Sequence, residues 1–177
     1  AQHTRMVNSE GDLLPGLIVD LSRDVAVIQL QTLAWEKRRE FIVDAVRQVI
    51  QPKAIVLKND SIVREQEGLD LYSSVVYGRL PREIVVSDMD LEFEVDVIRG
   101  QKTGFYIDQR ENRKIHLAFV DGKSVLDCFC YTGAWSCISV AGGAKEVLAV
   151  DSSEDALKIA RRNFKRNGLT DRVEIVK

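Results

Sequence analysis

The stretch "VLDCFCYTGAWS", residues 125–136, decides how the chain is read. An apolar run ends on Asp127, a lone glycine stands at Gly133, and helix-compatible residues begin at Ala134. That succession reads as a strand, a turn and a helix, with a carboxylate at the strand's end. Gly133 can take a positive φ and lets a ligand approach the backbone closely.

Outward from this turn the same alternation repeats. "KSVLDCF" is a short buried strand, and "AWSCISVA" a helix ended by Gly142 and Gly143. "EVLAVD" is a second strand and "SEDALKIARRNFKRNG" a second helix, and "RVEIVK" begins a third strand. In the second helix Ser152 or Ser153 can cap free amides, Glu154 and Asp155 suit the positive end of the dipole, and Asn167-Gly168 closes it. Strands alternating with helices form a parallel, doubly wound sheet, whose ligand crevice lies at the carboxyl ends of the strands.

Two acids mark those ends. Asp151 follows Gly133 by roughly the 20 residues that separate a glycine loop from a ribose-binding carboxylate in nucleotide-binding folds. A pyrophosphate would want G-x-G-x-x-G, but Tyr131 stands where a glycine is needed, and Trp135 and Ser136 crowd the turn. Asp127 repels a phosphate and attracts an ammonium or sulfonium. S-adenosylmethionine carries an adenosine, a sulfonium and an amino-acid ammonium, so an acid at each of two strand ends fits it.

The first part of the chain has a different texture. "GLIVDL", "DVAVIQL", "AIVLKN", "EIVVSD" and "LEFEVDVI" read as strands, and "NSEGDLLPG" and "SSVVYGRLPRE" as the turns between them. One helix interrupts: in "AWEKRREFIVDAVRQVI" Trp35, Phe41, Ile42, Ala45, Val46, Val49 and Ile50 recur at helical spacing, and Pro52 follows its end. The expected fold class is therefore α/β: a small α+β domain over residues 1–99, then a Rossmann-like half sheet over 100–177.

Composition bounds the partners. With 25 Lys+Arg against 27 Asp+Glu in 177 residues, the chain has no overall electrostatic footprint for nucleic acid. Lys158, Arg161, Arg162, Lys165 and Arg166 do cluster, as a solvated helix face or a local RNA-binding one. No run of 18 apolar residues and no leader pattern is present, so a cytoplasmic protein without membrane contact is expected. Cys128, Cys130 and Cys137 lack a nearby fourth ligand, which argues for reduced thiols and no metal site.

"DCFCYTGAWS" with "VLAVDSSEDALKIARRNFKRNGL" resembles motif I and the following acidic motif of class I S-adenosylmethionine-dependent methyltransferases. "KTGFYIDQRENR", residues 102–113, is similar to the signature of the ribosomal-RNA large-subunit cytosine-C5 methyltransferases that carry an N-terminal PUA domain, and "NSEGDLLPGLIVD" resembles the junction just after that domain. The resemblance implies that Asp127, Phe129, Tyr131, Thr132 and Gly133 surround the methionine end of the cofactor, that Asp151 accepts from the ribose, and that Ser152 lies beside the adenine. It implies that Phe105, Tyr106, Asp108, Gln109 and Arg110 lid the cofactor. Plainer roles stay open: core packing for Phe105 and Tyr106, surface ion pairs with Asp108 or Glu111 for Arg110 and Arg113, and helix capping for Asp127 and Asp151.

The same resemblance implies large-subunit ribosomal RNA as the partner and leaves a homodimer open. It also marks a departure, because the family's D-P-P motif and late catalytic cysteine are expected beyond Lys177. No catalytic residue is therefore expected within residues 1–177, Cys130 being a poor candidate nucleophile, and the chain by itself should be inactive. The alternative is a nucleotide-binding or RNA-binding accessory module that transfers nothing.

Overall fold

The computed structural model describes residues 3–177. Its elements run β1 (His3–Asn8), β2 (Leu17–Ser22), β3 (Val25–Leu30), α1 (Leu33–Glu36), α2 (Arg39–Ile50), β4 (Ala54–Asn59), α3 (Val63–Gln66), β5 (Tyr72–Gly78), β6 (Val85–Asp88), β7 (Leu91–Glu94), α4 (Arg110–Val120), β8 (Ser124–Cys128), α5 (Ala134–Ala141), β9 (Glu146–Val150), α6 (Glu154–Arg166) and β10 (Val173–Val176). Two compact units divide the chain: one holds residues up to Ile84 together with Val95–Ile107, the other holds Val85–Glu94 together with Asp108–Lys177. The division is interleaved where a single cut after residue 99 was expected. The β6–β7 hairpin groups with the second unit, and the stretch after it returns to the first.

The first unit is a sheet in the order β1-β2-β3-β4-β5. Every residue of β3 and β4 is buried, and such strands read as unbroken apolar runs because both faces are covered. β3 and β4 pair in parallel, joined by the helical crossover through α1 and α2, while the other pairings are antiparallel. Ile42 and Val46 of α2, one turn apart, pack on Val19, Ile28, Ile55 and Leu57. On the other side, Phe41 and Val49 are 69% and 84% exposed, so the apolar stripe is narrower than its spacing predicts. The helix also breaks at Lys37-Arg38, and Gln51 ends it in the left-handed region (φ 52°) just before Pro52. The segment after the hairpin is tied down by Thr103, which donates to the buried Asp20 carboxylate at 2.5 Å, and by Phe105, 3% exposed and edge-on to the His3 ring at 5.6 Å.

Two strands of this sheet were not expected. "SSVVYG", read as turn, is most of β5, an edge strand whose Val75, Val76 and Tyr77 stay about two-fifths exposed (43%, 41% and 39%). β1 is the other edge, and its alternation of buried and exposed residues is interrupted between Arg5 and Val7 by a register shift.

The second unit contains the expected three-stranded parallel sheet, β10-β9-β8. Val147 and Ala149 of β9 are buried, and α5 contacts β8 and β9. The sheet's opposite face presents Leu126 at 61% exposure beside the exposed Cys128. α6 buries one stripe, Ala156, Leu157, Ala160, Asn163 and Phe164, and holds β7 against its outer turns. There the Glu92 and Glu94 amides donate to the side chains of Asn167 (2.9 Å) and Asn163 (2.8 Å), and Arg162 grips the Glu94 carboxylate with two bonds (2.6 and 2.7 Å).

An unexpected helix, α4, joins this unit through Asp88. Arg113, 1% exposed, donates to Asp88 at 2.5 and 3.0 Å, and Arg110 donates to the other carboxylate oxygen at 2.7 Å. Both arginines thus pair with a strand residue of the hairpin. Removing one member of such a buried pair strands the other charge. Asp88→Ala should therefore lower unfolding free energy by about 3–5 kcal/mol in urea denaturation, and a loss below about 1 kcal/mol, the level of an exposed pair, would show that the arginines find other partners.

Candidate functional site

The turn between β8 and α5 is built from backbone that side chains resist. Phe129, Tyr131 and Gly133 all have left-handed φ, at 62°, 50° and 79°. For each non-glycine residue that conformation costs roughly 1–2 kcal/mol, so the surroundings must enforce it. They do so with directed bonds. The Cys130 amide donates to Val150 O at 2.9 Å, which extends the β8–β9 pairing, and the Gly133 amide closes back on Cys130 O at 2.8 Å.

Asp151 supplies the central brace. One carboxylate oxygen accepts from the Tyr131 amide and the other from the Ser153 amide, both at 2.8 Å. Ser153 is itself the cap of α6, its hydroxyl accepting from the Ala156 amide at 3.3 Å. The capping role and a ligand role are compatible here, because each oxygen engaged by one N–H keeps a second lone pair for a hydroxyl donor.

Asp127 sits at the end of the neighbouring strand. Its Oδ2 accepts from the buried Ser136 hydroxyl at 2.6 Å, so α5 orients it from below. Burial pushes its carboxyl above the usual range, and the nearby Asp151 adds to the rise. The Ser136 bonds and the charge of His116 pull in the opposite direction. His116 belongs to α4, and its Nε2 lies 2.7 Å from the Ser139 hydroxyl with the ring edge-on to Trp135. The loop thus presents two carboxylates at adjacent strand ends, suited to a ligand carrying a cation at one end and vicinal hydroxyls at the other.

Gly133 is needed for a reason different from the one its position suggests. A β-carbon there would meet Phe164 at 2.6 Å and Ala160 at 3.3 Å. The missing side chain lets α6 approach the loop, and the direction it would occupy faces protein rather than ligand. Of the other loop residues, Thr132 is 1% exposed while Phe129 is 89% exposed. Ser152 is exposed, next to the brace.

The residues of the 102–113 segment divide between the units. Tyr106 belongs to the first, where its hydroxyl donates to Gln101 at 2.5 Å and Lys102 lies over its ring at 4.5 Å. Gln109 and Arg110 belong to the second, Gln109 bonding Asp108 and Asn112 and Arg110 bonding Asp88. The basic cluster of α6 is largely spoken for: Arg162 and Arg166 face Glu94 and Glu92, and Lys158 pairs with Asp155.

The loop thiol is poorly set up for nucleophilic work. Burial, with Asp127 and Asp151 nearby, pushes Cys130 up to about 12, and burial does the same for Cys137. Both are protonated thiols at neutral pH, and the thiolate is the nucleophile. Among the described residues no three His, Cys, Asp or Glu side chains gather where a metal could sit, and no helix is long and apolar enough to cross a membrane.

The chain is similar to known methyltransferases in sequence and in structure. A family model described as S-adenosylmethionine-dependent methyltransferase matches residues 49–176. A protein of Aeromonas hydrophila named "Ribosomal RNA large subunit methyltransferase I" is 42% identical over 167 residues, covering 93% of this chain and 42% of the relative. One of the same name from Alteromonas mediterranea is 39% identical over 95% of this chain and 42% of its own length. The chain therefore spans about two-fifths, 42%, of the length of these relatives. Among solved structures, a Streptococcus mutans protein provisionally named a SAM-dependent methyltransferase aligns with a TM-score of 0.85 and 26% identity, over 99% of this chain and 45% of that one. A methyltransferase, also provisionally named, that was crystallised with SAH aligns with the same TM-score of 0.85.

The raised Asp127 carboxyl carries a stability prediction. A group that titrates higher folded than unfolded contributes most when protonated, and that contribution is lost as pH rises through the carboxylate range. Asp127→Asn, neutral at every pH, should raise Tm at neutral pH, and the gain should fade as pH falls toward the ordinary value of 3.8. Thermal melts of the whole protein and the variant across that range decide it, and a lower Tm for the variant at neutral pH would refute the burial argument.

Proposed function

The chain belongs to the S-adenosylmethionine-dependent methyltransferases, and on that premise we propose that it carries the cofactor-binding half of an enzyme that methylates large-subunit ribosomal RNA at cytosine C5. The observation that carries this reading is the pair of carboxylates, Asp127 and Asp151, at the ends of adjacent parallel strands, with Asp151 bonded to the Tyr131 amide of the turn that follows Asp127. The cytosine-C5 assignment rests on the 102–113 signature, and the RNA assignment also on the names of relatives that align over 93% and 95% of this chain.

In this reading Asp127 attracts the ammonium and sulfonium at the methionine end, and Asp151 accepts from the ribose hydroxyls with the lone pairs its two amide donors leave free. Phe129, Tyr131, Thr132 and Gly133 shape the wall between them, Thr132 through its backbone, and Ser152 lies toward the adenine. Tyr106, Gln109 and Arg110 belong to the segment that covers the bound molecule. S-adenosylmethionine, once bound, supplies an electrophilic methyl group, and the chain's own residues bind and orient it.

Cytosine C5 accepts a methyl group only after a thiolate adds at C6, and a base must then remove the C5 proton. Cys130 and Cys137 are pushed up to about 12, and the exposed Cys128 lies on the strand face opposite Asp127, so in this reading none of these three thiols serves as the nucleophile. The rest of the whole protein is where the nucleophile belongs, and residues 1–177 alone transfer no methyl group.

Calorimetry on the whole protein tests the binding half of this proposal. S-adenosylmethionine should bind and NAD should not, and Asp151→Ala should weaken binding by about 1.5–3 kcal/mol, the range for hydrogen bonds to a charged acceptor. Binding of NAD in place of S-adenosylmethionine, or unchanged affinity in the variant at equal stability, would overturn it. Labelled methyl donor with unmodified large-subunit RNA tests the other half: the whole protein should yield labelled 5-methylcytosine and residues 1–177 none. Label from residues 1–177 that disappears in Cys130→Ser would make Cys130 the nucleophile.

A further inference from the structure

Asn163 is a polar residue in the middle of the buried stripe of α6, and it is fully buried, at 0% exposure. Its Nδ2 donates to Thr132 O at 2.9 Å, and its Oδ1 accepts from the Glu94 amide at 2.8 Å. A carbonyl can only accept and an amide N–H can only donate, so these two partners set the orientation of the side-chain amide without ambiguity. The Thr132 carbonyl belongs to the same peptide plane as the Gly133 N–H, which donates to Cys130 O at 2.8 Å. That plane is therefore held at both ends, from inside the loop by Cys130 and from α6 by Asn163.

The plane lies between Tyr131 and Gly133, two of the three left-handed residues of the loop. Asp151 holds the Tyr131 end from the β9 side. Asn163 reaches the buried carbonyl of Thr132 from behind, where Gly133 has no side chain and Phe164 and Ala160 offer no side-chain donor. Its second bond joins the same amide to β7, so the hairpin and the loop share one buried residue.

We propose that Asn163 is a positioning residue for the cofactor loop: it holds the Thr132–Gly133 peptide in the orientation that presents Tyr131 and the backbone around it to S-adenosylmethionine. The proposal rests on the reading of this loop as the cofactor site. Asn167, one turn on, is its internal control. It bonds Glu92 of the same hairpin through both its oxygen (2.9 Å) and its nitrogen (2.7 Å), and its side-chain and backbone N–H groups donate to the Asn163 carbonyl in its own helix (2.8 and 3.1 Å).

The test compares Asn163→Ala, Asn163→Asp and Asn167→Ala in the whole protein, at a temperature where melting curves show each folded. Asn163→Asp keeps an acceptor for the Glu94 amide and loses the donor to Thr132, so it isolates the loop contact if the alanine variant fails to fold. Hydrogen exchange of the Tyr131 and Gly133 amides should speed up at least tenfold in either Asn163 variant, and S-adenosylmethionine affinity should fall at least tenfold. Asn167→Ala should leave both unchanged even where it lowers Tm. Wild-type exchange and affinity in a folded Asn163 variant of lowered Tm would mean a purely structural residue and would overturn the proposal. If the wild-type protein binds no S-adenosylmethionine, the functional reading fails separately and the positioning claim falls with it, while the exchange rates still report whether Asn163 holds the loop.

Discussion

The second unit depends on one carboxylate. Asp151 leaves the end of β9 and divides its two oxygens between the Tyr131 amide of one crossing and the Ser153 amide of the next, each at 2.8 Å. A charged acceptor makes stronger bonds to backbone N–H than a neutral one, roughly twice as strong. Here that strength sustains a turn in which Phe129 and Tyr131 adopt left-handed backbone unfavourable to any residue with a β-carbon. Strain of this kind survives only where the surroundings over-determine it, and such places cluster at ligand sites.

The remaining constraints come from the helices around the loop. α6 brings Phe164 and Ala160 against the bare Gly133, Asn163 against Thr132, and Asn163, Asn167 and Arg162 against the hairpin. α5 fixes Asp127 through Ser136, and α4 is anchored on Asp88 through two arginines. A short parallel sheet of three strands has little core of its own, so buried polar bonds take over part of the work of fixing its geometry. Buried amides and ion pairs of this type specify an arrangement more than they add stability, because desolvation offsets much of their attraction.

Local features were legible in the sequence, and long-range pairings were not. β8, α5, β9 and α6 emerge from apolar runs and caps that lie within a few residues of one another, and Ser153 caps α6 as its position suggests. β5 escaped because its residues are polar or half exposed at a sheet edge and end in Gly78, which imitates a turn. α4 escaped because its outward residues include Ile115 and Phe119, 63% and 70% exposed, so no clean apolar stripe marks it. Asp88 could not be chosen as the partner of Arg110 and Arg113 from sequence, since Asp108 and Glu111 are far closer along the chain. Asn163 did leave a signal, a polar residue at a buried helical position between Ala160 and Phe164, and such residues repay attention because they must have partners. Gly133 was read correctly as left-handed, but the protein side of the glycine explains it better than the ligand side.

Electrostatics gives the site its polarity. Asp127 and Asp151 together disfavour a further negative charge: they add to the burial that raises Cys130 and would repel a phosphate, and the same field favours a cation. A concave space also lies along Ser124–Leu126, Glu146–Leu148 and Val173, toward the starting ends of the strands. The carboxyl ends are preferred here because parallel sheets bind ligands there and because both acids stand there. A crystal structure of the whole protein with S-adenosylhomocysteine bound tests that choice most directly. The account predicts the ribose hydroxyls within hydrogen-bonding distance of Asp151 and the amino-acid ammonium on the Asp127 side of the loop; ligand density at the Ser124–Glu146–Val173 end, with the 129–133 loop empty, would contradict it.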